Sequence, residues 1–190
     1  MPNRPDIFTN VHKGIRRALF ETCIALGSAP EDAVPAALRA QLRGVLHFVR
    51  HHGENEDLLL LPMLVDTAPG VHARMRDAHT RIDNTLREFD GRIDDGGATE
   101  LYHRSCDLAS LYLEHMREEE LELEPQIRRV LSAVQLLEFG RGSVARTAPA
   151  DARSMLTWML PAMQPAEARE LLAQLPEALQ REVVDKLRLG

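Results

Sequence analysis

An all-α protein is predicted, an antiparallel up-down four-helix bundle with a small C-terminal helical appendage, and three observations predict it. Ala, Leu, Glu and Arg dominate the 190 residues, and runs of β-branched residues are missing. Apolar residues recur three and four positions apart. Prolines and glycines cut the chain into helix-length segments with short connections, the pattern of antiparallel neighbours.

Four long segments, at about 6–26, 33–65, 70–93 and 98–138, make the bundle. The breaks between them are "GSAPED", "TAPG" and "DDGGAT". Three shorter segments, at about 151–162, 165–175 and 177–188, are set off by Pro161, Pro165 and Pro176. The longest break, "GRGSVARTAPAD", runs through residues 140–150 and divides a bundle at 1–139 from an appendage at 140–190, which packs on the bundle or on a partner. Met155, Leu156, Trp158, Met159, Leu160 and Met163 make the appendage's first helix strongly apolar, fit to close one end of the bundle.

With 44% hydrophobic residues the chain can bury a real core. Cys23 and Cys106 are its two cysteines, so a disulfide framework is not expected and a reducing cytoplasm is. The opening "MPNRPDIFTN" lacks the apolar stretch of a signal peptide, and the run "LLLLPMLV" is too short to span a bilayer. A net charge of −6 with mixed signs, and 4% aromatic residues, argue against a nucleic-acid surface.

An internal repeat carries the chemistry. "HGENEDLLLLP", His52 to Pro62, aligns without gaps on "HMREEELELEP", His115 to Pro125. "HKGIRRAL" from His12 and "HTRIDNTL" from His79 align in the same way. A helix meets its neighbours along a seam spaced three and four residues, and polar groups fall on it. The second helix reads Leu42, Val45, Val49, His52, Glu56, Leu59, Met63; the third reads His72, Met75, His79, Ile82, Leu86, Phe89. The first reads Phe8, His12, Ile15, Leu19, and the fourth Leu108, Tyr112, His115, Glu119 and then Leu123 or Glu122. His12 and His79 each stand roughly 14 residues from the end of their helix, and His52 and His115 roughly 17 from the start of theirs, so the six groups converge at one level. Buried carboxylates and imidazoles need compensation, and a pair of cations bridged by Glu56 and Glu119 and capped by His12, His52, His79 and His115 supplies it. Iron, manganese or zinc suits these ligands. His51 and His47 fall on an outer strip, His72 at a bundle end and His103 in solvent. Glu118, Glu120, Glu122 and Glu124 form a solvated face or accept hydrogen bonds from ligand histidines, and Tyr112 reads as core, with hydrogen bonding to a metal-bound oxygen species as the alternative.

Histidine, HxxxE, histidine, HxxxE in four successive helices resembles the hemerythrin-like, HHE cation-binding domain family over about residues 6–138. The resemblance implies a bundle holding two oxygen-bridged irons, with His12 and His52 as terminal ligands on one side, His79 and His115 on the other, and Glu56 and Glu119 bridging. It also implies binding of a small ligand, dioxygen, peroxide or nitric oxide, by a peroxide-decomposing or nitric-oxide-handling oxidoreductase active in oxidative stress. Reversible oxygen storage, and an iron- or oxygen-responsive sensor whose appendage reports metal loss, are the alternatives. Oxygen carriers have a further histidine where this chain has Met75, and a longer fourth-helix spacing than HxxxE. Four histidines and two bridging glutamates with a bridging oxygen leave about two open positions on two six-coordinate irons, which favours reactivity over storage.

Overall fold

The computed structural model describes residues 7–173 and 175–187; the expected helix start at 6 and end at 188 lie outside the described residues. Those residues are helical with no strand among them. Helix α1 covers Thr9–Gly27 and α3 covers Pro69–Asp90. Helix α2 begins as Ala36–Asn55, passes through a widened turn at Glu56–Leu60 and resumes at Leu61–Leu64. Helix α4 repeats this, as Ala98–Glu118, a widened turn at Glu119–Leu123, and Glu124–Val130. α1 packs on α2 and α4, and α3 packs on the same two.

The widened turns have a local cause. Leu61 N–H donates to the carbonyl of Glu56, and Glu124 N–H to that of Glu119, each five residues back rather than four. Pro62 and Pro125 follow, and in a regular helix each ring would strike the carbonyl four residues earlier. An extra residue in the turn gives that carbonyl room. The insertion corrects the expected register of α2: Leu60, Leu61 and Leu64 are buried, whereas Leu59 and Met63 are only half-buried. In α4 the same shift selects Leu123, 1% exposed, over the exposed Glu122. At the third-helix end Val71 takes the buried place and His72 is half-buried.

Helix α4 is capped from a distance. Glu31, in the α1–α2 connection, accepts hydrogen bonds from Thr99 N (2.8 Å) and Thr99 Oγ1 (2.6 Å), satisfying a first-turn donor that Gly97 cannot reach. These bonds hold the Glu31 carboxyl below the usual carboxylate range.

The fourth long helix ends earlier than the expected 138. Leu131 turns to extended backbone, and Ser132 with Gln135 forms a capping box that starts α5, Ala133–Arg146. Helix α5 therefore crosses much of the break predicted at 140–150. One of its two glycines marks a close approach to the widened turn of α2: a Cβ on Gly142 would lie 3.1 Å from Leu59 Cδ1, whereas one on Gly140 would meet nothing within 4 Å. Leu136 and Phe139 of α5 join Phe8, Leu60, Leu64, Met75 and Ile127 in one apolar cluster. That end of the molecule is thus closed by α5, not by the Met-rich helix.

The Met-rich helix, α6 at Pro149–Ala162, lies instead along α1 and α2. Trp158 stacks on Phe48 with centroids 6.1 Å apart, and Met155 joins the cluster of Ile15, Leu42, Phe48 and Leu86. Glycine in a helix interior costs roughly 1 kcal/mol against alanine, and α1 and α2 each carry one where α6 crosses. A Cβ on Gly14 would meet Met159 Cγ at 2.5 Å and its Cα at 3.0 Å; one on Gly44 would meet Trp158 at 3.2 Å. Helices α7, Pro165–Ala173, and α8, Glu177–Leu187, complete the chain, with Lys13 Nζ of α1 donating to both oxygens of Glu167 in α7 (2.8 and 2.7 Å). No helix among the described residues is long and apolar enough to cross a membrane.

The close approach makes a clear expectation. Gly14→Ala should destabilise the protein by about 1–3 kcal/mol through overpacking against Met159. Gly53→Ala, whose added Cβ meets nothing within 4 Å, should be neutral or stabilising. Denaturant titration of both variants checks this, and equal stabilities would mean that α6 does not seat on Gly14.

Candidate metal centre

The polar layer lies between two apolar clusters. One holds Ile15, Val49, Ile82, Leu108 and Tyr112, and the other Phe8, Leu60, Met75 and Leu123. Between them α1 supplies His12, α2 supplies His52 and Glu56, α3 supplies His79, and α4 supplies His115 and Glu119, and all six are buried. On a helix, positions four apart share a face, so each glutamate stands one turn beyond its histidine and points into the same layer. The widened turns begin at these two glutamates.

The two carboxylates divide their oxygens. Glu56 Oε1 lies 3.2 Å from His52 Nε2, and its Oε2 lies 3.3 Å from His79 Nε2. Glu119 Oε2 lies 3.3 Å from His12 Nε2, while its Oε1 lies 3.2 Å from His115 Nε2 and 4.0 Å from His79 Nε2. His12 and His52 face each other through their Nε2 atoms at 3.0 Å, and the His79 and His115 rings meet edge to face at 5.1 Å. Each glutamate therefore spans two histidine pairs, His12 with His52 and His79 with His115.

Hydrogen bonding within the layer leaves much unsatisfied. Both oxygens of Glu56, both of Glu119, and Nε2 of His79 and His115 are buried without a hydrogen-bond partner. A buried polar atom left in this state costs roughly 1–3 kcal/mol, more for a charged one. Burial, with Glu56 nearby, pushes the Glu119 carboxyl well above its ordinary range. Burial also pulls His52 down to about 4, and burial with the neighbouring His79 pulls His115 down to about 2, so both rings favour the neutral form with a lone pair. Carboxylate oxygens and imidazole lone pairs converging with so few donors among them are the chemistry of a cation site.

Two further acids hold rings from behind. His79 Nδ1 is 2.6 Å from Asp57 Oδ1, and His12 Nδ1 is 2.9 Å from Glu120 Oε1. A proton on each Nδ1 leaves Nε2 as the lone pair facing the layer. Burial pulls His79 downward, but the bond to Asp57 and the Glu56 carboxylate 3.3 Å away outweigh this and raise it to about 10, so a cation at Nε2 would take the place of a proton there. Glu120 is itself clamped by Arg16, whose Nη1 and Nη2 donate at 2.8 and 3.0 Å; despite burial, the bonds from His12 and Arg16 bring its carboxyl down to about 2.

Two groups of four buried ligands, His12, His52, Glu56 and Glu119, and Glu56, His79, His115 and Glu119, could each hold a metal ion, their ligand atoms lying within 4.8 Å of one another. The family model described as "Hemerythrin HHE cation binding domain" matches residues 4–127. The chain belongs to the hemerythrin HHE cation-binding family. No curated protein and no solved structure matches the chain. The hemerythrin match runs through α1 to α4 and stops short of α5, so α5 to α8 stand outside it.

In this hemerythrin domain the remaining histidines sit apart from the layer. His51 bonds to Thr147 Oγ1 at 2.9 Å and Asn55 Nδ2 at 3.1 Å, at the contact between α2 and the end of α5. His47 lies 3.1 Å from Asp151, and His103 is exposed. Asp57 was missed on sequence grounds because it is off the seam; the signal was the second acid of the repeat, E-[DE], kept in both copies. Tyr112, expected as core, is buried, but its hydroxyl has no hydrogen-bond partner and its ring meets that of His115 edge-on at 5.4 Å. Burial, with Glu56 and Glu119 nearby, pushes that phenol well above its ordinary value. Tyr112 and His79 also line a narrow cleft between α2 and α3, with Gly53 and Asp57 on its α2 wall.

Proposed function

We propose that the protein is a non-haem di-iron hemerythrin that reacts with or binds a small oxidant or diatomic ligand: peroxide, nitric oxide or dioxygen. The proposed unit is an antiparallel up-down four-helix bundle over residues 1–139, with 140–190 appended, working in the cytoplasm under oxidative stress. One observation carries this most: each of two buried glutamates offers one oxygen to each of two histidine pairs. That arrangement suits two ions sharing two carboxylates better than it suits one.

His12, His52, His79 and His115 would be the terminal ligands, and Glu56 and Glu119 the bridges. Two irons held there would supply a redox couple and a Lewis acid. Asp57 and Glu120 fix the rings, while the flanking leucines and Phe8 keep water out. Tyr112 stands at the floor of the cleft, where its hydroxyl can donate a hydrogen bond to a small ligand lodged beside the carboxylates. Met75, fully buried where oxygen carriers have a histidine, favours reactivity over reversible storage.

Protein grown with ample iron should hold two irons per chain and evolve oxygen from peroxide, or consume nitric oxide, with loss of both activities in Glu56→Ala and His79→Ala. Well under one metal per chain would overturn the reading. Tyr112→Phe should keep its metal and its stability while reacting at least about tenfold more slowly, if the hydroxyl donates at the rate-determining step. An unchanged rate would return Tyr112 to a packing role.

A further inference from the structure

Two cysteines occur in 190 residues, and the fold sets them against each other. Helices α1 and α4 run antiparallel, with His12 facing Glu120 at 2.9 Å and a Cβ on Gly27 falling 3.3 Å from the Tyr102 ring, so Cys23 of α1 and Cys106 of α4, both half-buried, stand at one height on the packed faces. Tyr102 lies one turn before Cys106 on α4, and that neighbouring thiol raises its phenol above the ordinary value. A cleft of about 470 Å³ lined by Cys23, Gly27, Thr99 and Tyr102 opens Cys23 to a small solute, and Cys106, beside it and outside that lining, is itself only half-buried. Along α1 the pair stands about 16 Å of helix from His12, and along α4 about 14 Å from His115. It is therefore separate from the polar layer, and no thiol belongs to either group of candidate metal ligands.

We propose that Cys23 and Cys106 form a second reaction site, a thiol pair that a hydroperoxide closes to an intrachain disulfide. A Cys106 thiolate attacks one peroxide oxygen; the O–O bond breaks, the other oxygen leaves with a proton as an alcohol or water, and Cys106 becomes a sulfenic acid. Cys23 sulfur then displaces the hydroxyl, which leaves as water with the Cys23 proton, and the S–S bond forms. Two thiols and one hydroperoxide thus give one disulfide, one alcohol and one water, the sulfurs losing two electrons and the peroxide gaining them. Tyr102 suits Cys106 to attack first, because its hydroxyl can donate to the developing thiolate. Burial, then Cys106 itself, pushes the Cys23 thiol up to about 12, which suits it to resolve rather than to start. The bond would tie α1 to α4, the helices across which His12 and Glu119 meet at 3.3 Å.

The test is intact-mass spectrometry and thiol titration of the full chain, before and after hydrogen peroxide, without reductant. Wild-type protein should lose both titratable thiols and two hydrogens of mass, yield a linked pair of peptides containing Cys23 and Cys106, and recover both thiols on reduction. Cys23→Ser should instead stop at a sulfenic acid on Cys106 that a dimedone probe captures. The same disulfide should form in metal-depleted Glu119→Gln protein, which separates this site from the proposed metal chemistry. Persistence of both thiols, added oxygen in place of lost hydrogen, links between chains, or a disulfide formed only with metal bound would each overturn the proposal.

Discussion

Glu119→Gln is expected to raise the stability of the metal-free protein and to lower that of the metal-loaded one. Glu119 is fully buried, both its oxygens lack partners, and burial pushes its carboxyl well above the usual range. An amide of the same shape carries no charge into that site; His115 and His12 have nitrogens 3.2 and 3.3 Å from the two present oxygens, and the amide donates from its NH2 to one of them while its oxygen accepts from the other. Relief of an unsatisfied buried group is worth roughly 1–3 kcal/mol. For a chain of this size that is an increase of about 2–4 °C in Tm for each kcal/mol.

With metal the sign reverses, because Glu119 belongs to both candidate groups and its loss weakens both. A bound ion at a thousandfold excess over its Kd contributes about 4 kcal/mol to the folded state, and the variant forfeits most of it. Thermal melts of both proteins, with chelator and with added iron, should therefore cross in rank, and metal analysis should follow the second pair. A variant that melts below wild type in chelator would mean that the carboxylate is already satisfied by the protein alone.

The second large effect concerns the acids behind the rings. Asp57→Asn should weaken metal binding at the His79 and His115 side about 10–100-fold, since the 2.6 Å bond that fixes the His79 tautomer loses its charge. Glu120→Gln should do the same at the His12 and His52 side, and there Arg16 loses its carboxylate partner as well. The two acids act on different histidine pairs, so the double variant should show the sum of the two free-energy losses. Competition titration with a coloured chelator measures all three. Equal affinity in Asp57→Asn and wild type would reduce Asp57 to a surface residue.

Much of the layer is legible in the sequence. The seam histidines, the HxxxE repeat and the matched heights bring His12, His52, Glu56, His79, His115 and Glu119 to one layer because regular helices convert spacing into position. What escaped was where the helices stop being regular. Pro62 and Pro125 close the two copies of the repeat, but each also requires a widened turn upstream, and the inserted residue moves the buried face of α2 from Leu59 and Met63 to Leu60, Leu61 and Leu64. Single-helix periodicity assumes one register throughout and has no place for an insertion. Gly14 and Gly44 were silent for a different reason: their meaning lies in Met159 and Trp158, far along the chain, and no local pattern points there. Helix α5 was divided at its glycines, although its capping box, Ser132 with Gln135, stands openly in the sequence.

Counting three residues back from each repeated histidine reaches Val49 on α2 and Tyr112 on α4, and both line the same cleft. The repeat makes these two positions equivalent, and the residues in them differ. Around His12 the aromatic neighbour is Phe8, stacked on the ring at 5.4 Å and fully buried; around His115 it is Tyr112, with a hydroxyl to offer. Two ions bound in this layer would thus be chemically distinguishable despite nearly identical ligands, one enclosed by hydrocarbon and one reached by the cleft. The repeat accounts for a pair of positions, and a difference of valine against tyrosine between its two copies gives that pair a front and a back.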